Sequence, residues 1–215
     1  MSQTRIFKVS ELTEKTLLEA AQDISRGAVA VVPTDTVYGM GTGAFCEESI
    51  ARIYQIKNRP ATSALQILIP SLAAAKQVAQ FTPQAEKLAA ACWPGGLTAI
   101  LPAIQAGQPL LRGFKGLGLR VPGNPFLVSL LEKMTVPMAC TSANLHGQPT
   151  LTEEKTLLGT FDGKVDYIFL GGTLSPTASS VVDLTGAPRL LREGGISRAR
   201  LEGLLGENFV QEDDK

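Results

Sequence analysis

Apolar residues first recur at helical spacing at Leu17, Leu18, Ala21 and Ile24, with Gly27 placed as a stop. The pattern then changes: residues 28–32 form a continuous apolar run, as a short strand covered on both faces would show. Ile50, Ile53, Tyr54 and Ile56 predict a second helix over 47–57, and Pro60 bars its continuing past Asn58 or Arg59. Further strands are predicted at 65–69, 97–101, 117–121, 136–140, 166–170, 180–184 and 189–192. Ser71, Thr82, Asn124 and Ser197 stand where helices should open, with Pro83 and Pro125 at first helical positions. Residues 102–116 hold five glycines and prolines and predict a mobile loop.

Helices alternating with strands predict one α/β (α+β) domain over 1–206, with helices packed on a sheet, followed by a frayed acidic tail over 207–215. Closely spaced strands near the C-terminus predict antiparallel members and hence a mixed sheet. Two polar turns, 33–39 and 141–147, each leave the end of a buried strand, where ligands gather in open sheets.

Composition narrows the chemistry. Lys plus Arg equals Asp plus Glu at 20 each, so no global field draws in nucleic acid, and any polyanion site must come from local clustering. Cys46, Cys92 and Cys140 are far apart and form no CxxC pair, which points away from disulfides and zinc and toward a reducing cytosol. Glu11, Glu14, Lys15 and Glu19 make the first twenty residues unlike a signal peptide, and no apolar run reaches the roughly 18 residues of a membrane span. The expectation is a cytoplasmic protein.

No GxxxxGK[ST], GxGxxG or HExxH motif occurs, and the single histidine, His146, argues against a Ser-His-Asp or metal-histidine site. His146 reads as a surface residue and the cysteines as core packing. What remains are cations and small hydroxyls in unusual places. Lys57 and Arg59 flank the forced helix end; one cation there complements the helix dipole, which leaves the second unexplained. Arg120 sits in an otherwise apolar strand and must find solvent, a structural carboxylate, or a bound carboxylate or phosphate. Arg192, after Leu190 and Leu191, poses the same question. Thr34, Thr36, Tyr38, Thr141, Ser142, Asn144, Ser179 and Ser180 supply polar groups near glycines; each can serve a turn, but together they suit a polar small-molecule site.

These segments carry a resemblance. The run Pro33-Thr34-Asp35-Thr36-Val37-Tyr38-Gly39-Met40-Gly41 resembles the opening signature of the YrdC-like threonylcarbamoyl-AMP synthases. Lys57-Asn58-Arg59-Pro60 is similar to their KxRP block, and Trp93-Pro94-Gly95-Gly96-Leu97-Thr98 to their WPGPLT block. Gly118–Pro122, Thr141–Asn144, Ser179–Leu184 and Leu191–Gly194 complete the order, so that the likeness spans about residues 10–200.

The resemblance implies a twisted mixed sheet with helices on both faces around a concave, positively lined cleft. It also implies a nucleotidyltransferase, L-threonylcarbamoyladenylate synthase, acting on L-threonine, bicarbonate and ATP with Mg²⁺. Carried over by position, Lys57, Arg59, Ser142 and Asn144 would be catalytic. With Arg192 these four would bind the nucleotide, and Thr36, Tyr38, Arg120, Thr141 and Ser179 would hold threonine. No protein metal ligand is implied. Separate threonylcarbamoyl transferases would take the product, and tRNA or double-stranded RNA is a further candidate partner. Ser63, Ala64 and Leu68 depart from the family pattern, where Lys, Pro and His are usual. These departures keep open a paralogue that binds RNA or nucleotide in the same cleft without synthesis.

Overall fold

Thr13, Ser71, Thr82, Asn124 and Ser197 each accept a hydrogen bond from the amide three residues on, and each opens a helix. The computed structural model describes residues 3–60, 63–174 and 177–210. Its α-helices are α1 (Glu14–Ser25), α2 (Glu47–Lys57), α3 (Leu72–Lys76), α4 (Pro83–Cys92), α5 (Pro125–Lys133), α6 (Glu154–Phe161) and α7 (Arg198–Leu205).

The strands described are β1 (Arg5–Lys8), β2 (Ala30–Val32), β3 (Gly39–Gly43), β4 (Gln66–Leu68), β5 (Leu97–Leu101), β6 (Leu117–Arg120), β7 (Met138–Ser142), β8 (Tyr167–Leu170), β9 (Ser180–Asp183) and β10 (Arg189–Arg192). They form one sheet in the order β1-β8-β2-β3-β7-β4-β6-β5-β9-β10. Parallel pairs (β1/β8, β2/β8, β4/β6, β5/β9) mix with antiparallel ones. The expected mixed sheet is therefore present, and β9 and β10 are antiparallel as their spacing suggested.

The sheet is clothed unevenly. Along β2 and β8, Ala30, Val32, Tyr167 and Phe169 pack with Leu17 and Ile24 of α1 and Leu127 and Leu131 of α5. The alternate residues Val31 and Ile168 pack with Ile53 of α2 and Leu157 and Phe161 of α6. Both faces of these strands are thus apolar and covered. In β5, β6 and β9, Leu97, Ala99, Leu101, Leu117, Leu119 and Val182 pack with Leu88 of α4 and Leu201 of α7. Their alternates Thr98, Ile100, Gly118, Arg120, Val181 and Asp183 line a cleft. Side chains alternate between faces at period two, so one uncovered sheet face becomes the cleft floor.

Several local expectations change. Strand β3 was unforeseen: Gly39 read as the end of a turn and 40–43 carried no assignment; yet a Cβ on Gly41 would lie 2.9 Å from the Ala139 carbonyl, so close pairing with β7 requires glycine. Strand β1 and helix α6 were likewise unforeseen. Strand β7 begins two residues later than predicted, after Pro137, which has no N–H to donate to a ladder. Thr141 and Ser142 are consequently strand residues rather than turn residues.

In α1 the phase differs: Leu17, Ala20, Ala21 and Ile24 are buried, while Leu18 is 45% exposed. The 102–116 connection is not an open loop. It contains a 3₁₀ turn at Gln105–Leu110, where Gly107 packs so tightly that a Cβ would lie 2.0 Å from the Val78 carbonyl. At the C-terminus, Phe209 is 4% exposed and joins the core beside α7, so the packed body continues past residue 206. Residues 211–215 of the predicted tail lie outside the described residues.

Candidate active site

Helix α2 ends where Pro60 requires, on Asn58 in the left-handed conformation (φ 51°, ψ 41°), with Arg59 N–H closing onto the Tyr54 carbonyl at 2.9 Å. This cap brings both flanking cations to strand β7. Lys57 Nζ donates to the Ser142 carbonyl, to the Asn144 carbonyl at 2.5 Å and to Asn144 Oδ1 at 3.2 Å. Arg59 donates to Thr141 Oγ1 and, at 3.0 Å, to the Ala64 carbonyl. The bond is returned by the His146 amide, which donates to the Lys57 carbonyl at 2.8 Å.

Ser142 Oγ donates to Asn144 Oδ1 at 2.6 Å, and Asn144 Nδ2 donates to the Leu145 and Gln148 carbonyls. The two sequence blocks are therefore one hydrogen-bonded wall. Lys57 is 2% exposed. Burial, reinforced by the neighbouring Arg59 charge, pulls its pKa from the ordinary 10.5 to about 8. Burial also lowers the Arg59 pKa.

Arg120, also 2% exposed, has found a carboxylate within the chain. It donates to Asp35 Oδ1 at 2.7 Å, twice to Thr36 Oγ1 at 3.1 Å, and through Nε to the Gly95 carbonyl at 3.0 Å. The structural partner anticipated as one alternative is thus present, while Arg120 still lines the cleft. Of its five N–H groups, four are used in these bonds. Burial lowers its pKa, and Asp35 opposes that shift.

A second polar chain crosses the floor: Thr98 Oγ1 donates to Gln66 Oε1 and shares a 3.1 Å bond with Ser179 Oγ, which accepts from Arg192 Nη2 at 3.0 Å. Arg192 Nε also donates to the Ser179 carbonyl at 2.9 Å. Burial, then the Arg120 charge, lowers the Arg192 pKa. Thr98, Gln66 and Asp35 were not singled out from sequence. The usable signal for Thr98 was its being the one polar residue in an otherwise apolar strand.

Asp35 apart, the side chains of these networks line one cleft of about 590 Å³. Among its lining residues are seven Lys or Arg side chains and one carboxylate, Asp183, itself paired with Arg189 at 2.5 Å. A chain with balanced charge has therefore concentrated cations in one concavity, as a polyanion site requires. Thr34 also lines the cleft, but its hydroxyl closes the local turn by donating to the Val37 carbonyl at 2.7 Å.

Tyr38 lines the cleft with its hydroxyl committed elsewhere, donating to the Gly172 carbonyl at 2.7 Å and accepting from the Gly171 amide at 2.9 Å. Ser180 Oγ donates to the Ile196 carbonyl at 2.7 Å. Cys140 is buried and its thiol is pushed up to about 12, so it is a neutral packing group. His146 is exposed at the rim. Among the described residues, no three His, Cys, Asp or Glu side chains gather to hold a metal, and no helix is long and apolar enough to cross a membrane.

A sheet face lined with cations, hydroxyls and amides, where several separated segments meet, defines a class of α/β proteins with one cation-rich cleft. A family model named Sua5_yciO_yrdC, described as telomere recombination, matches residues 22–194, and the chain belongs to this family. A threonylcarbamoyl-AMP synthase of Pyrococcus abyssi is 36% identical over 209 residues, which cover 95% of this chain and 62% of that protein. The crystal structure of P. abyssi Sua5 complexed with L-threonine superposes with a TM-score of 0.87 at 32% identity, over 98% of this chain and 63% of that one. The crystal structure of E. coli YciO superposes with a TM-score of 0.84 at 27% identity, over 94% of this chain and all (100%) of the other. The chain thus spans less than two thirds of the length of the P. abyssi protein.

Proposed function

We infer that this protein is an L-threonylcarbamoyladenylate synthase, a nucleotidyltransferase that forms threonylcarbamoyl-AMP and pyrophosphate from L-threonine, bicarbonate and ATP. The observation that carries the reading is the joining of Lys57, Arg59, Thr141, Ser142 and Asn144 into one wall of a cation-rich cleft whose floor holds Arg120, Ser179 and Arg192. The names of the matched relatives support it.

In this reading threonine's amine attacks the bicarbonate carbon, and loss of water leaves a carbamate. A carbamate oxygen then attacks the α-phosphorus of ATP, and pyrophosphate leaves. Lys57 and Arg59 neutralise phosphate charge as it shifts to the leaving group. Ser142 and Asn144 fix Lys57, and Arg192 supports the nucleotide. Thr36, Thr141 and Ser179 offer hydroxyls to the amino acid, and Arg120 its unspent N–H to the carboxylate. Tyr38 contributes by positioning Gly171 and Gly172. Such chemistry rests on alignment and charge neutralisation rather than on a protein nucleophile. Mg²⁺ would arrive with ATP, held by phosphate oxygens and water.

Three unpaired cysteines suit a cytoplasmic setting. The product would pass to a separate transferase acting on tRNA.

Following pyrophosphate release from purified protein with ATP, L-threonine and bicarbonate tests the reading. Release should require all three; release that persists without threonine or bicarbonate would reject it. Nucleotide binding without turnover would favour the non-synthetic paralogue.

A further inference from the structure

The connection between β5 and β6 adds something the reading above does not use. Lys57, Arg59, Arg120, Arg189 and Arg192 are all held by acceptors of the protein itself. One other cleft cation differs, and a second has one nitrogen without a partner. Lys115 is exposed and has no hydrogen-bond or ion-pair partner among the described residues. Arg112 lines the cleft with its Nε buried and unpartnered.

Arg112 stands on, and Lys115 directly follows, a turn closed by the Phe114 amide donating to the Leu111 carbonyl at 2.9 Å. Arg112 (φ 49°) and Gly113 (φ 82°) are both left-handed. Arginine is disfavoured in that conformation, and such departures cluster where a ligand is clamped.

The turn is also pinned. Arg112 Nη1 donates to Glu47 Oε2 at 2.7 Å and Nη2 to the Ala44 carbonyl, at the start of α2, whereas Lys57 lies at its end. Helix α2 therefore runs between the two points, with the Arg112 anchor Glu47 at its first residue and Lys57 at its last. Cations brought to one cleft from both ends of a helix suit several linked phosphates better than a single one.

We propose that Lys115 and Arg112 form a second cationic wall that receives the terminal phosphates of the nucleotide, making the cleft selective for a nucleoside triphosphate over a monophosphate. This rests on the nucleotide reading of the cleft. Lys115 is a binding residue. Arg112 adds its positive charge to this wall and positions the turn through its two anchored nitrogens.

Calorimetric titration of the full chain with ATP and with AMP, both with excess Mg²⁺, tests it. The wild type should prefer ATP. Lys115→Ala should weaken ATP about tenfold, as loss of a charge-assisted bond would, and leave AMP within about twofold. Lys115→Arg should restore ATP binding. Arg112→Gln should lower the ATP-to-AMP preference further, and raising salt should shrink the preference in the wild type more than in the variants.

A wild type that binds both nucleotides equally, or Lys115→Ala and Arg112→Gln that both keep the wild-type ratio, would overturn the second wall while leaving the nucleotide cleft standing. A wild type that binds neither nucleotide would overturn both ideas.

Discussion

The β2/β8 side of the sheet and the β5/β6/β9 side obey the same alternation with opposite outcomes. On the first, helices cover both faces, and every alternate residue is apolar. On the second, α4 and α7 cover one face, and the other carries Thr98, Arg120 and Asp183. A burial that excludes water from both faces leaves no place for unpaired polar groups. An uncovered face lets the same strand geometry present hydroxyls and cations on a rigid floor. The first region should govern stability, and the second should govern ligands.

The sharpest way to break that division is Phe169→Ala. Phe169 is fully buried (0% exposed), and truncating it should cost about 3–5 kcal/mol in urea unfolding. Pyrophosphate release per folded molecule should stay unchanged; a loss of turnover in fully folded protein would blur the division.

Asp35→Asn probes the boundary, because it removes the carboxylate from a buried Arg120. It should destabilise by about 3 kcal/mol, and L-threonine should then raise the melting temperature of the variant more than that of the wild type. Equal shifts would make Arg120 purely structural.

Arg59→Ala should lower kcat/KM for ATP about 100-fold, roughly 2.7 kcal/mol of transition-state stabilisation, with a change under about 1 kcal/mol in unfolding. A larger loss of stability than of catalysis would move Arg59 into the scaffold.

The gentlest probe is pH. Lys57 loses its charge near 8, so ATP affinity should fall as pH rises above 8, by at most about tenfold per unit for one required proton. Binding at pH 8 should take up protons, read from titrations in buffers of different ionisation enthalpy. The sign for folding is the reverse. Between about 8 and 10.5 the unfolded chain holds the proton more tightly, so the Lys57 contribution to stability rises with pH there.

Much of the fold was legible locally. The apolar run of β5, the caps at Ser71, Thr82, Asn124 and Ser197, and the end of α2 before Pro60 all matched the structure, because each depends on residues within a few positions. The misses had tertiary causes. Gly39, read as the end of a turn, opens a close-packed glycine strand against β7. A loop rich in glycine and proline carries a 3₁₀ turn because Val78 offers it a surface. The site was legible as a roll of unusual cations and hydroxyls, and Arg120 as a group needing a partner; Asp35, Thr98, Gln66 and the Arg112–Lys115 turn were not.

The sequence by itself determined where the chain turns, which strand faces are apolar, and which charges had to find company, since helix periodicity, strand alternation and the cost of a buried charge all act within short stretches. Only the tertiary structure decided who that company is. Lys57 meets Ser142 across 85 residues, Arg59 meets Thr141 across 82, and Arg120 meets Asp35 across 85. Those meetings follow from strand order and from which sheet face the helices leave open. No local pattern encodes either, because both are settled by how the whole apolar surface is buried at once.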